Sequence, residues 1–185
     1  GLAPALLQDT PERPATVFTV HNLAYQGLFD HATFDRLGLA PGLWAVNGVE
    51  FHQRMSFIKG GLVFSDLVNT VSPTYADEVR TPRYGCGLDG LLRQLGSRFR
   101  GILNGIDYRA WDPQTDSLIA QNYGAETFHL KVENKLSLQR EVGLPRNERA
   151  LVFGYIGRLV EQKGVDMILD ILRRLLDRHD VQVVF

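Results

Sequence analysis

The stretch that most constrains the fold lies near the end of the sequence. Val165, Ile168, Leu169, Leu172, Leu175 and Leu176 recur at three- and four-residue spacing, with Asp166, Asp170, Arg173 and Arg174 between them. That period fits a helix with one buried face. Apolar, β-branched runs flank it at 150–156 and 181–185, joined to it by loops at 157–164 and 177–180. Both runs predict buried strands. Strand, helix and strand in this order, with short connections, imply a right-handed parallel crossover. The expected class is α/β.

Composition removes several alternatives. With 44% hydrophobic and 22% charged residues, the chain has the make-up of a globular protein. Twenty basic residues against twenty-one acidic ones leave a net charge of -1, and a sequence-independent nucleic-acid binder would show a basic excess. No apolar run approaches the length that crosses a bilayer. Cys86 is the single cysteine, which rules out an internal disulfide and a four-thiolate metal site. The chain opens on Gly1 and closes on a strand pattern without a polar tail. It is therefore expected to be an internal fragment of a longer protein, folding poorly by itself.

Further elements follow from local patterns. Residues 16–20 and 67–71 predict strands, and a helix is expected from Met55 to Asp66 despite its Gly60-Gly61 pair. Ser72-Pro73 predicts a helix start, with serine as N-cap and proline as first helical residue. Residues 80–90 are expected to be irregular, 99–103 a short strand, and 107–115 a linker. Lys131 to Val142 predicts a helix stopped by Gly143. A domain boundary is placed near residues 105–112.

Three segments could carry chemistry. Gly85-Cys86-Gly87-Leu88-Asp89-Gly90 matches the dinucleotide fingerprint letter by letter, but that motif requires a preceding strand, and Arg80-Thr81-Pro82-Arg83 is none. Gly157-Arg158-Leu159-Val160-Glu161-Gln162-Lys163-Gly164 lies between a strand and a helix, where open α/β sheets bind ligands. Its two cations beside a helix N-terminus suit a diphosphate; the alternative is a solvated loop with two ordinary surface cations. His21 and Asn22 end the first strand, with Tyr25 and Gln26 close by, a set suited to sugar hydroxyls or to a purely structural histidine. His31, His52, His129 and His179 are scattered without ligand spacing, and no Asp-x-Asp pair occurs. No metal and no cofactor is expected.

Five segments, taken together and in order, resemble the glycogen and starch synthases. They are 21–27 (His-Asn-Leu-Ala-Tyr-Gln-Gly), 71–76, 84–92, 101–107 and 157–164. Cys86 and Asp89 depart from the small or aromatic residue and the glutamate usual at those positions. The resemblance implies two Rossmann-like domains of the GT-B glycosyltransferase architecture, both incomplete in this chain. Residues 1–107 would close the N-terminal domain and 108–185 open the C-terminal one. It implies a retaining glucosyltransferase that moves glucose from ADP-glucose to the non-reducing end of an α-1,4-glucan, in the cytoplasm, or in the plastid of a plant. His21, Arg158 and Lys163 are the catalytic residues so implied: His21 by the transferred glucose, the two cations on the departing diphosphate. Asn104, Tyr25 and Gln162 would bind substrate. An inactive glucan-binding homologue and another nucleotide-sugar transferase of the same architecture are the alternatives. The isolated chain is expected to show no transfer.

Overall fold

A computed structural model describes residues 1–178 and 180–185; His179, one of the scattered histidines, lies outside them. The chain divides into two compact units, Gly1–Gly105 and Ile106–Phe185.

The first unit runs α1 (Ala3–Leu6), β1 (Val17–Val20), β2 (Leu28–Phe29), α2 (His31–Arg36), β3 (Glu50–Phe51), β4 (Arg54–Ser56), α3 (Phe57–Phe64), β5 (Leu67–Thr70), α4 (Pro73–Glu78), α5 (Asp89–Leu95) and β6 (Phe99–Gly101). Its main sheet is parallel, in the order β1-β5-β6, with Val17 opposite Leu67 and Val68 opposite Phe99. Val20, Leu62, Val68, Val79, Leu92 and Phe99 form the core between this sheet and its helices. α3 lies so close to β1 that a Cβ on Gly61 would come 2.5 Å from the Phe18 ring. The glycine pair that weakens the helix by propensity therefore permits the close approach.

Between β1 and β5 the chain also builds a small antiparallel sheet, β2-β4-β3, which the sequence pattern did not announce. Strands of two or three residues are too short to show an alternation. Met55 is the centre of this sheet, opposite both Phe29 and Glu50. Hence the helix expected from Met55 starts instead at Phe57, capped by the Ser56 hydroxyl accepting from the Lys59 N–H. A second core of Phe34, Leu39, Val49 and Met55 forms beneath it. The strand expected over 99–103 ends at Gly101, although the Ile102 N–H still reaches Thr70 O at 2.7 Å. Ser72 caps α4 as expected, accepting from the Tyr75 N–H with Pro73 as first helical residue.

One carboxylate ties the entry to the main sheet. Asp66 takes two hydrogen bonds from the Arg13 guanidinium, at 2.8 and 2.9 Å, and two from Thr16, through its N–H and its hydroxyl. The Arg13 hydrogen bonds, with those of Thr16, hold the carboxyl well below the usual carboxylate range.

In the second unit, α6 (Lys131–Glu141), β7 (Leu151–Gly154), α7 (Val165–Arg178) and β8 (Val181–Val184) follow the expected order. β7 and β8 pair in parallel, Leu151 opposite Val181, so both units carry parallel pairing and the class is α/β. Gly143 ends α6 at φ +73°, the left-handed stop expected of it. Gln139 is fully buried and satisfied at both ends of its amide: it donates to Asn147 O and Gln182 Oε1 and accepts from the Asn147 N–H. Burial falls short of expectation. The two strands were expected to be buried, yet Leu151 is 62% and Phe153 50% exposed, and on the α7 face expected to be buried Leu169 is 55% and Leu176 46% exposed. A pair of strands with one packed helix cannot enclose both of its faces.

Burial is thus unequal between the units, and exchange should follow it. Amide hydrogen exchange is expected to be at least about tenfold slower in β1, β5 and β6 than in β7 and β8; equal protection would contradict it. Asp66→Asn should lower the melting temperature at neutral pH. Because the folded carboxyl is held below its unfolded value of about 3.9, its contribution is complete above that pH and disappears as pH falls toward the depressed value. The gap between wild type and variant in thermal melts should therefore close below about pH 4.

Candidate functional site

In the first unit, the parallel arrangement brings the ends of β1, β5 and β6 to one edge. His21 leaves β1 there, and Asn104 follows three residues after β6. The two emerge two strands apart, about 10 Å at the usual ~4.8 Å spacing. The buried Thr70 hydroxyl donates to Val20 O at 2.7 Å, satisfying the last carbonyl of β1 and setting where His21 departs. His21 and Asn104 are both exposed, and Tyr25 is 62% exposed.

The loop carrying His21 and Tyr25 is anchored from below. Asn22 closes a turn, its Oδ1 accepting from the Ala24 N–H at 3.0 Å and its carbonyl from the Tyr25 N–H. Leu23 is buried, and its N–H donates to the Tyr75 hydroxyl at 3.0 Å. Gln26 is buried as well; its amide donates to Cys86 O at 2.8 Å and accepts from the Ser56 hydroxyl at 3.3 Å. So the 21–27 loop is bonded to the glycine loop at 85–90. No strand leads into that glycine loop; residues 79–88 hold turns and bends and no strand, which excludes a dinucleotide fold there.

In the second unit, the 157–164 segment leaves β7 and delivers the chain to α7. Its backbone is tied at Arg158 O, which accepts from the Tyr155 hydroxyl at 2.8 Å and from the Val160 N–H at 2.9 Å. Glu161–Lys163 forms a single 3-10 turn. Gly164 then turns at φ +70°, a conformation that glycine adopts without strain, and its carbonyl accepts the Ile168 N–H of α7. Arg158, Gln162 and Lys163 are exposed, and Lys163 stands two residues before the helix. The N–H groups of the first helical turn lack helical acceptors. Glu161 and Asp166 balance the charges of Arg158 and Lys163. Net charge alone therefore gives this segment no preference for an anion.

Among the described residues, no three His, Cys, Asp or Glu side chains are grouped as metal ligands. No described helix is long and apolar enough to cross a membrane. The structure adds supporting residues to the six expected from sequence. Thr70, Tyr75 and Gln26 hold the His21 loop, and buried Lys59 holds the hairpin beside the glycine loop. For Lys59 alone, a charged side chain inside an apolar helical stretch was a local signal; the others act through long-range contacts.

Comparison with known proteins identifies the family. Residues 1–94 match the starch synthase catalytic domain. The chain is 57% identical over 176 residues to glycogen synthase 1 of Methylococcus capsulatus, covering 95% of this chain and 36% of that protein. It is 52% identical over all 185 residues to glycogen synthase 2 of Nitrosococcus oceani, covering 38% of it. The chain thus spans little more than a third of the length of these relatives. A solved structure, the catalytic domain of starch synthase IV from Arabidopsis thaliana bound to ADP and acarbose, matches with a TM-score of 0.87 at 34% identity, over 97% of this chain and 39% of that one. With its matched first half and its chain-wide structural likeness, the chain belongs to the starch synthase catalytic domain family.

Proposed function

We propose that the chain is the central part of a retaining glucosyltransferase, which transfers glucose from ADP-glucose to the non-reducing end of an α-1,4-glucan. Residues 1–107 would close its N-terminal domain and 108–185 open its C-terminal one, in a cytoplasmic enzyme. The observation that carries the reading is the turn into α7. There a tied backbone, a left-handed Gly164 and the cations Arg158 and Lys163 stand before the open first turn of a helix. ADP, held by the Arabidopsis structure, is the group that ADP-glucose releases.

In this reading the two units take different parts of the reaction. Arg158 and Lys163 bind the diphosphate, with Gln162 beside them, and charge grows on the leaving oxygen as the glycosidic bond breaks. Donors that meet that charge lower the barrier because they are already oriented. On the first unit, His21 contacts the glucose near its reacting carbon, while Asn104 and Tyr25 orient donor and acceptor. The anchoring of the 21–27 loop by Gln26 and Tyr75 keeps His21 from reorganising during the step.

The test uses a chimera in which residues 1–185 replace the matching stretch of the Methylococcus capsulatus relative. Arg158→Ala and Lys163→Ala are each expected to lower turnover with ADP-glucose by about 10²-fold. The measurement is incorporation of labelled glucose into glycogen. Near-normal turnover in both variants would refute the assignment.

A further inference from the structure

Residues 81–95 leave the main sheet as one excursion: the glycine loop, then α5, before the chain returns at β6. Leu88, Leu92 and Leu95 bury its inner side in the core of the first unit. Apolar burial is non-directional, so it holds the excursion down without aiming it. Polar contacts at its base and at its tip supply the aim.

Two arginines close the base. Arg80, just past α4, donates to Gly96 O at 3.2 Å, where α5 ends, and to Phe99 O at 2.9 Å, in β6. Its guanidinium lies over the Phe99 ring, 5.0 Å from the centroid. Arg93, on the exposed side of α5, donates to Arg80 O at 2.6 Å and to the Asp89 carboxylate at 2.7 Å. One guanidinium thereby joins the first residue of α5 to the chain leaving α4. Gly85 lets the loop close on that pair, because a Cβ there would clash with Asp89 and stand 2.7 Å from Val79 O.

The tip is fastened separately. Gly87 turns at φ +79°, and a Cβ there would stand 2.9 Å from the Phe51 ring. Cys86 is held at φ +50°, a conformation that persists for an L side chain only where its surroundings impose it. In that turn its carbonyl accepts the Gln26 amide at 2.8 Å. Gln26 and Gly27 carry the contact onward: their carbonyls accept the Ile58 and Phe57 N–H groups at the start of α3, both at 3.1 Å.

Sheet pairing of β1 ends at Val20, so it sets where His21 departs but does not extend to Tyr25. Resting on the proposed transfer reaction, we infer that residues 81–95 are a strut between β6 and the outer part of the 21–27 loop, and that Arg93 is a positioning residue for glucosyl transfer. Arg93 touches no substrate in this reading. It holds Asp89 to Arg80, which keeps Cys86 O aimed at Gln26, and Gln26 holds the loop that carries His21 and Tyr25. The same contacts end on β6, the strand that leads to Asn104.

The test, in the same chimera, compares Arg93→Met, Arg93→Lys, Gln26→Glu and the double variant Arg93→Met/Gln26→Glu. Arg93→Met should lower kcat about tenfold and leave KM for ADP-glucose within about twofold of the parent. Arg93→Lys, which keeps a cationic donor, should recover at least about half of the parent rate. Gln26→Glu removes the donor to Cys86 O and so cuts the same strut at its tip. The double variant should therefore be no slower than the slower single variant. Hydrogen exchange supplies a readout that needs no activity. In Arg93→Met the Leu23 and Tyr25 amides should exchange at least about fivefold faster, while Val68 in β5 keeps its parent rate. Unchanged exchange at Leu23 and Tyr25 would overturn the inference. So would an equal acceleration at Val68, a kcat within about twofold of the parent, or losses that multiply in the double variant. Faster exchange confined to the loop, in a chimera that transfers no glucose, would refute the proposed activity and support the strut.

Discussion

The first unit depends on a clasp outside its sheet. Thr16 immediately precedes β1 and Asp66 immediately precedes β5, and the Thr16 N–H and hydroxyl both bond the Asp66 carboxylate. With that pair closed, Val17 must stand opposite Leu67. A shift by one residue would turn every side chain of β1 to the other face. The same register decides, at the far end, that Val20 meets Thr70 and that His21 leaves the sheet where it does. A carboxylate at one edge thereby sets the height of the site at the other.

Parallel pairing explains why residues far apart in sequence form one edge. Each strand must return by a crossover, so every strand of the set finishes on the same side. Loops after β1 and β6 share that edge, and the glycine loop, although it follows no strand, is drawn toward it by Gln26. The G-x-G-x-x-G letters there serve a different purpose from phosphate binding: Gly87 accepts the Phe51 ring at close range and Cys86 offers its carbonyl to Gln26.

The sequence made the regular repeats legible. The α7 periodicity, the capped start at Ser72-Pro73, the stop at Gly143 and the β-branched strands all express local rules, and the structure follows them. The antiparallel sheet at 28–56 was hidden because its strands hold two or three residues and owe their existence to pairing with Met55. Burial of β7 was misjudged for a related reason: apolar residues mark what a strand would cover, not what is present to cover it. At the site, the residues that would face a ligand were visible through motif and position. Those that hold them (Thr70, Tyr75, Gln26) act through contacts some fifty or sixty residues away, which no local pattern records.

Gln139 has a consequence of another kind for the second unit. A buried amide whose donor and acceptor ends are both satisfied adds little net stability, because water would have satisfied them too. It does discriminate between arrangements. Rotating or sliding α6 by one position would leave the amide facing apolar neighbours with its hydrogen bonds unmade, at a cost of about 1–3 kcal/mol for each orphaned group. Leucines in its place would grip equally well in several poses. The glutamine works as a key cut for one lock, and it gives a thinly covered unit a single seating for its helix.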